Sequence, residues 1–386
     1  MSAPRVASGV GPAPLRVGIL APPWLPIPPP AYGGTEGVID RLARGLVAAG
    51  HEVRLVTTGE STCPVPRHFE LASVDRSQMG RVDVELRHVL AGYEWLGTQG
   101  CDVIHDHTLS GPLLADRPDV PTVVTNHGPF SSPELAAIFS RAQHHAAVIA
   151  ISQDHARSAA VAGVRIDRVI HHGLDPERFP VGTGEGDAAG GYLLFLGRIA
   201  EDKGVAEAAR AALAVGQRLM IAAKMSEPAE REYFEREVAP LVDGERIRYL
   251  GEVGNDEKVR LLGGAAALLN PIRWPEPFGL VMIEALACGT PVVTTRQGAA
   301  PEIIEDGVTG FVCDDAAQIE DRLGRLAELD RGACRAAVVG HFSASRMVAD
   351  HIDFYRDVVD GSPRRVVELS AHARERGAQQ ARHVDL

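Results

Sequence analysis

The sequence predicts an α/β protein built as two doubly wound parallel-sheet domains that face each other across a cleft. Three observations carry this expectation. The chain has 386 residues, more than a single hydrophobic core usually organises. Short apolar runs alternate with helical stretches, the pattern of a parallel sheet covered on both faces. One composition break, residues 181–191 (VGTGEGDAAGG), divides the alternation in two, and such a Gly- and acid-rich segment reads as a linker. Each half is therefore expected to be Rossmann-like.

In chain order, residues 1–14 form a lead-in expected to be disordered. The first domain, 1–180, opens with the apolar run 15–21, a proline-rich loop (22–30) and a helix at 35–49 closed by Gly50. Strands follow at about 52–57, 103–105, 122–126 and 148–151, with helical stretches near 132–145 and 153–161. After the linker, the second domain (192–342) repeats the scheme. Strands are expected at 192–196, 219–222, 247–250, 266–270 and 291–294, with helices at 202–214, 228–239 and 279–288. A last helix, about 343–360, and a charged tail, 361–386, complete the chain.

Bulk properties exclude several function classes. A formal charge of −12 argues against nucleic acid, whose phosphates need a basic face. No apolar run approaches the roughly 18 residues of a membrane-spanning helix. The N-terminus lacks a basic start followed by an apolar core, so no signal peptide is expected. Five cysteines without a CxxC pair read as free thiols in a reducing compartment. The expectation is a cytoplasmic protein with at most peripheral membrane contact.

The segment Arg273–Ala285 (RWPEPFGLVMIEA) is the most informative. Pro275 and Pro277 hold Glu276 in a loop, and the apolar run behind Gly279 reads as a buried helix. Glu284 then lies just over one turn inside. Between the two acids are unpaired backbone N–H groups and the positive end of a helix dipole, where a phosphate settles. Two hydroxyl-binding acids around an anion site suit a ligand with a sugar at each end and phosphates between, a nucleotide sugar.

Other segments point the same way. Gly33-Gly34-Thr35-Glu36 opens the first helix, where paired glycines let amides approach an anion; the structural alternative is a turn with Thr35 as N-cap. Arg198 and Lys203 bracket the turn after the first strand of the second domain. An anionic ligand accounts for a lysine that otherwise opposes the helix dipole. His127 and the pair His105 and His107 end strands of the first domain. The HxH pair lacks a third metal ligand at suitable spacing, so His105, His107 and Thr35 are candidate acceptor-side contacts and no metal is expected. His144 and His145 are expected on a solvated helix face. GxGxxG is absent, which disfavours a nicotinamide enzyme, and no DxD occurs.

Together these segments resemble glycosyltransferase family 4, retaining enzymes of the GT-B fold. The likeness runs from Val17 to about Tyr355. It rests on Gly33-Gly34, Thr125–Gly128, Gly197-Arg198 with Lys203-Gly204, the E-x7-E pair Glu276 and Glu284, Cys288–Val293 and Pro301-Glu302. The resemblance implies that Glu276 and His127 hold the transferred sugar, that Arg198 and Lys203 neutralise the departing diphosphate, and that Glu284 grips the ribose. Backbone at Gly33, Gly34, Phe278, Gly279 and Leu280 would join on the diphosphate, and Val253 on the base. It further implies an acceptor-side first domain, a donor-binding second domain and a last helix that crosses back onto the first. Pro28–Glu36 resembles a subgroup with antibiotic-tailoring transferases, which implies a small-molecule acceptor. The implied activity moves a hexose from a nucleoside-diphosphate sugar to a hydroxyl of a small-molecule or glycan acceptor, without a cofactor or essential metal. UDP-glucose is the favoured donor and GDP-mannose the next. The alternatives are a nucleotide-sugar epimerase of the same architecture, or a non-catalytic protein that binds nucleotide sugars.

Overall fold

The computed structural model describes residues 13–361 except 32, 75, 117–118 and 187–190. Most of the 1–14 lead-in, nearly all of the 361–386 tail, and Tyr32 of the Pro28–Glu36 segment thus lie outside the described residues.

The first sheet holds β1 (Arg16–Leu20), β2 (Glu52–Val56), β3 (Arg67–His68), β4 (Val103–Asp106), β5 (Thr122–Thr125), β6 (Ala146–Ala150) and β7 (Arg168–Val169). Their order is β3-β2-β1-β4-β5-β6-β7, every pairing parallel. The second sheet comprises β8 (Leu193–Arg198), β9 (Leu219–Lys224), β10 (Ile247–Gly251), β11 (Ala267–Asn270), β12 (Val292–Thr295) and β13 (Gly310–Cys313), ordered β10-β9-β8-β11-β12-β13 and again parallel. Parallel strands must be covered on both faces, and β4, β5 and β6 are buried along their whole length.

Helices α1 (Gly34–Ala48), α2 (Val82–Thr98), α3 (Pro133–Ala142) and α4 (Gln153–Val161) cover the first sheet. Helices α5 (Val205–Ala214), α6 (Pro228–Tyr233), α7 (Asn255–Gly264), α8 (Leu280–Ala287), α9 (Ala300–Ile303), α10 (Ala316–Leu323) and α11 (Arg331–His341) belong to the second domain. The last helix, α12 (Ala344–Val359), packs against α1 and places Met347, Phe354 and Tyr355 in the first domain's core. The chain crosses between domains at two adjacent points: Leu174 N–H donates to the Phe342 carbonyl at 3.0 Å, and Ala344 N–H donates to the Leu174 carbonyl at 2.7 Å.

Several local expectations are corrected. Helix α1 starts at Gly34 with Gly33 as its N-cap and no side-chain cap, so Thr35 does not cap it. Lys203 closes a 3-10 turn (Glu201–Lys203) ahead of α5, because Gly204 takes φ +72° and breaks the run. The helix expected at 228–239 ends at Tyr233 and passes into a wider π turn. His144 and His145 lie in the exposed turn after α3, not on a helix. Residues 182–184 are pinned to the second domain by Gly182 N–H to the Cys288 carbonyl (3.0 Å), Gly184 N–H to the Gly263 carbonyl (3.1 Å) and Arg331 Nε to the Gly182 carbonyl (2.9 Å). That part of the expected linker does not hang free.

Open parallel sheets bind ligands beyond the carboxyl ends of their strands, where the strand order reverses. The reversal lies between β1 and β4 in the first sheet and between β8 and β11 in the second. Residues after β1 include Gly33 and Gly34; β4 carries His105; β8 leads to Arg198 and Lys203; β11 leads to Glu276 and α8.

Candidate active site

The Glu276–Glu284 segment folds as a loop and helix mouth. Gly279 is the N-cap of α8 at φ +94°, a left-handed conformation that favours glycine. No side chain caps α8, so its first amides and dipole are open to an anion. Glu284 lies one turn inside and accepts from Lys258 Nζ at 2.7 Å. Phe278 is buried against His172, His171 and Phe342; only its backbone is available to a ligand.

Glu276 is held by two donors. Lys203 Nζ forms an ion pair with its Oε2, and Trp274 Nε1 donates to the same oxygen at 3.1 Å. The Lys203 ammonium also lies over the Trp274 ring, 4.8 Å from the centroid, a favourable placement for a cation on a π face. Both charged side chains are mostly buried. The predicted sugar-holding acid and diphosphate-binding lysine therefore neutralise one another in the ligand-free chain.

Arg198 follows the same plan. Its Nη1 pairs with Glu230 Oε1 at 2.9 Å. Glu230 is fixed by Ser226 N–H (2.7 Å) and Glu227 N–H (3.0 Å) in a capping box that starts α6. Burial opposes ionisation of Glu230, but those two amides and Arg198 together hold its carboxyl below the usual value. The sequence reading missed Glu230, although Ser226-Glu227-Pro228 ahead of Glu230 carried a readable helix-start signal.

The mouths of α1 and α8 meet: a Cβ placed on Gly34 would lie 3.3 Å from Leu280 Cδ1. Gly33, Gly34, Gly279 and Leu280 are thereby brought together from opposite domains. Val253 follows a bulged end of β10 and packs on the second domain's core beside Leu250 and Leu280.

The histidines are organised differently from the expectation. His127 is half-buried, and its Nε2 bonds His107 Nδ1 at 2.9 Å. Burial, with His155 and His351 acting in the same direction, pushes its pKa down to about 3. His107 is buried, with Nε2 unpartnered. His105 is fully buried, and both ring nitrogens are engaged, by the Tyr355 and Thr125 hydroxyls at 2.7 Å each. As an acceptor-side contact it would have to surrender one of those bonds, because burial has made it part of the junction between β4, β5 and α12. With His172 stacked on His127 and His351 near His105, five imidazoles form a continuous file, four of them buried and His127 half-buried. Burial depresses all five, so each is neutral at pH 7.

Two cross-domain contacts were not foreseen. Ser152 Oγ donates to the Pro277 carbonyl at 2.7 Å, inside the Glu276–Phe278 loop. Glu302 accepts from the Gln153 and Asp154 amides at 2.8 and 2.6 Å and from His171 Nε2 at 2.9 Å. An acid of the second domain thus caps a helix of the first.

Comparison with known proteins agrees with this geometry. Residues 32–178 match Glycosyltransferase Family 4 and residues 190–328 match Glycosyl transferases group 1. A phosphatidyl-myo-inositol mannosyltransferase of Propionibacterium freudenreichii is 27% identical over 84% of this chain and 91% of its own length. A D-inositol 3-phosphate glycosyltransferase of Salinispora tropica is 29% identical over 90% of this chain and 86% of its own. The crystal structure of AviGT4, a glycosyltransferase involved in avilamycin A biosynthesis, superposes with a TM-score of 0.65 at 26% identity, covering 90% of this chain and 99% of that one. The chain belongs to glycosyltransferase family 4 and is a glycosyltransferase of the GT-B fold.

Proposed function

We propose that the enzyme is a retaining glycosyltransferase that transfers a hexose from a nucleoside-diphosphate sugar to a hydroxyl of a small-molecule or glycan acceptor, without an essential metal. The observation that carries this reading is the cluster of Lys203, Trp274 and Glu276 at the uncapped mouth of α8, with Glu284 one turn inside. An arriving diphosphate brings denser negative charge than a carboxylate and competes for Lys203. Once released, the Glu276 oxygens accept hydroxyl hydrogens from the sugar. Arg198 can exchange Glu230 for phosphate in the same way.

Cleavage of the anomeric C–O bond builds positive charge on the sugar and negative charge on the diphosphate. Lys203, Arg198 and the α8 amides are set in advance where that negative charge develops. Same-face attack asks no carboxylate to be a nucleophile, and the acceptor hydroxyl proton passes to the leaving phosphate. UDP-glucose is the first donor in this reading and GDP-mannose the second. The mannosyltransferase relative keeps the latter in view, and the avilamycin relative supports a small-molecule acceptor.

The test is a thermal-shift screen of the full chain with UDP-glucose, GDP-mannose and ADP-glucose, followed by nucleotide release with and without a panel of hydroxylated acceptors. One donor should raise the melting temperature, acceptor should accelerate release, and the product anomer should match the donor by NMR. EDTA should leave the rate unchanged. Interconversion of the free sugar nucleotide without transfer would point to an epimerase, and binding without turnover to a non-catalytic protein.

A further inference from the structure

One stripe of α1 is built almost without side chains. Gly34, Gly37, Arg41 and Gly45 recur at intervals of three and four residues and share a face. At one end Gly34 abuts Leu280 at the mouth of α8; at the other, a Cβ on Gly45 would strike Val348 of α12. Between them the Arg41 side chain lies back over Gly37, where a Cβ would stand 3.3 Å from its Nη1. The stripe leaves room for this one guanidinium at the seam between the domains.

Arg41 has no hydrogen-bond or ion-pair partner among the described residues, and its Nε is sealed from solvent. The adjacent Asp40 is committed to Arg44 at 2.8 Å. Glu284 on the facing α8 is near enough for its charge to act on Arg41, yet its carboxylate is held by Lys258. A guanidinium carries five donors and no acceptor; Arg41 is half-buried and its sealed Nε lacks a partner, a cost that a bound anion offsets. Of the nearby cations, Lys203 is engaged by Glu276 and Arg198 by Glu230, while Arg178, whose charge also acts on Arg41, is exposed.

We propose that Arg41 is the first domain's contact to the ribose–diphosphate end of the donor nucleotide, donating to phosphate oxygens while Glu284 takes the ribose hydroxyls from the opposite wall. The assignment rests on the nucleotide-sugar reading given above. It makes the nucleotide a bridge between the domains, gripped by α1 on one side and α8 on the other. The planar fork of arginine suits a phosphate bidentately, which a lysine cannot reproduce.

The experiment measures affinities of the full chain for UDP, GDP and ADP and for uridine, guanosine and adenosine, using the wild type, R41Q and R41K. If none of the three diphosphates binds the wild type, the nucleotide-sugar reading itself fails, whatever Arg41 does. With a binding diphosphate in hand, R41Q should weaken it about tenfold while changing nucleoside affinity less than about twofold. The ligand-free melting temperature should stay level or rise, since a half-buried cation with a sealed, unpartnered Nε has been removed. R41K should fall between, and it keeps the test open if R41Q does not fold. Unchanged diphosphate affinity in R41Q would overturn the assignment. Equal losses for diphosphate and nucleoside, or a lowered melting temperature without ligand, would do so too, because both mark a structural role for Arg41.

Discussion

Lys203 and Glu276 occupy each other until a ligand arrives, and this mutual hold decides how each substitution should read out. In the proposed mechanism, removing the lysine deletes a preorganised cation from the leaving group and frees Glu276 at the same time. Loss of one such donor costs about 3–4 kcal/mol of transition-state stabilisation, so K203A should lower turnover at least about a hundredfold with far-ultraviolet circular dichroism unchanged. Turnover within a few-fold of wild type would remove Lys203 from the diphosphate site. E276Q keeps the shape but weakens the acceptor for sugar hydroxyls, so turnover should drop more than affinity for the free nucleoside diphosphate. Comparing kcat with the nucleotide Kd checks this, and equal losses would place Glu276 on the nucleotide instead. Glu276, Glu284, Arg198 and Lys203 could be named as candidates from sequence because proline, glycine and charge spacing are local signals. Their partners were not: Glu230 and Lys258 meet Arg198 and Glu284 across 32 and 26 residues of chain.

Helix ends explain most of what was read correctly and most of what was missed. Helix α8 was foreseen because Gly279 starts it and an apolar run follows. Strand β13 and helices α2, α7, α10 and α11 lie where the sequence reading placed no element. Helix α2 has valines at 82, 84 and 89 and glycines at 92 and 97, which lower helix propensity; packing of Val89, Tyr93 and Leu96 under the sheet overrides that. Helix α4 was placed correctly at 153–161, yet its first amides are capped by Glu302 from the other domain. E302A should therefore speed hydrogen exchange at Gln153 and Asp154 about five- to thirtyfold, the range expected for about 1–2 kcal/mol of capping energy. Amides within β5 and β6 should keep their rates. Unaltered exchange at Gln153 and Asp154 would show that the cap contributes nothing to α4.

At the scale of the molecule, buried neutral imidazoles, in the file and outside it, make stability depend on pH. Burial holds His88, His155 and His351 at about 4 and His127 at about 3, whereas an unfolded histidine titrates near 6.5. Between those values the unfolded chain binds more protons than the folded one, so stability falls as pH drops from about 6.5 toward 4. Each imidazole contributes up to about 1.4 kcal/mol per pH unit in that window. Asp106 acts in the opposite sense: burial raises it to about 7, so the folded chain keeps a proton that the unfolded chain releases. Burial raises Glu36, Glu85 and Asp154 in the same sense, but these four carboxyls are outnumbered by eight depressed imidazoles, His51, His88, His105, His107, His127, His155, His172 and His351. Urea midpoints measured from pH 7.5 to 4.5 should decline below about pH 6.5, and a flat profile would contradict the buried neutral state of these imidazoles.

The sequence by itself determined the architecture and the residue types of the candidate site. Apolar strand runs demand covered parallel sheets, and glycine, proline and helix-start chemistry act within a few residues of chain. The tertiary structure alone decided which charge meets which. Lys203 on Glu276, Arg198 on Glu230, Glu302 over α4 and Arg41 left at the seam without a partner among the described residues all depend on side chains converging from separate strands and from both domains. The same holds for His105, which sequence placed at a strand end and packing enclosed beneath Tyr355. Local signals fix the backbone because they act through neighbouring dihedrals. Pairing energies act through space, and their partners are set only once the two sheets have brought their carboxyl ends together.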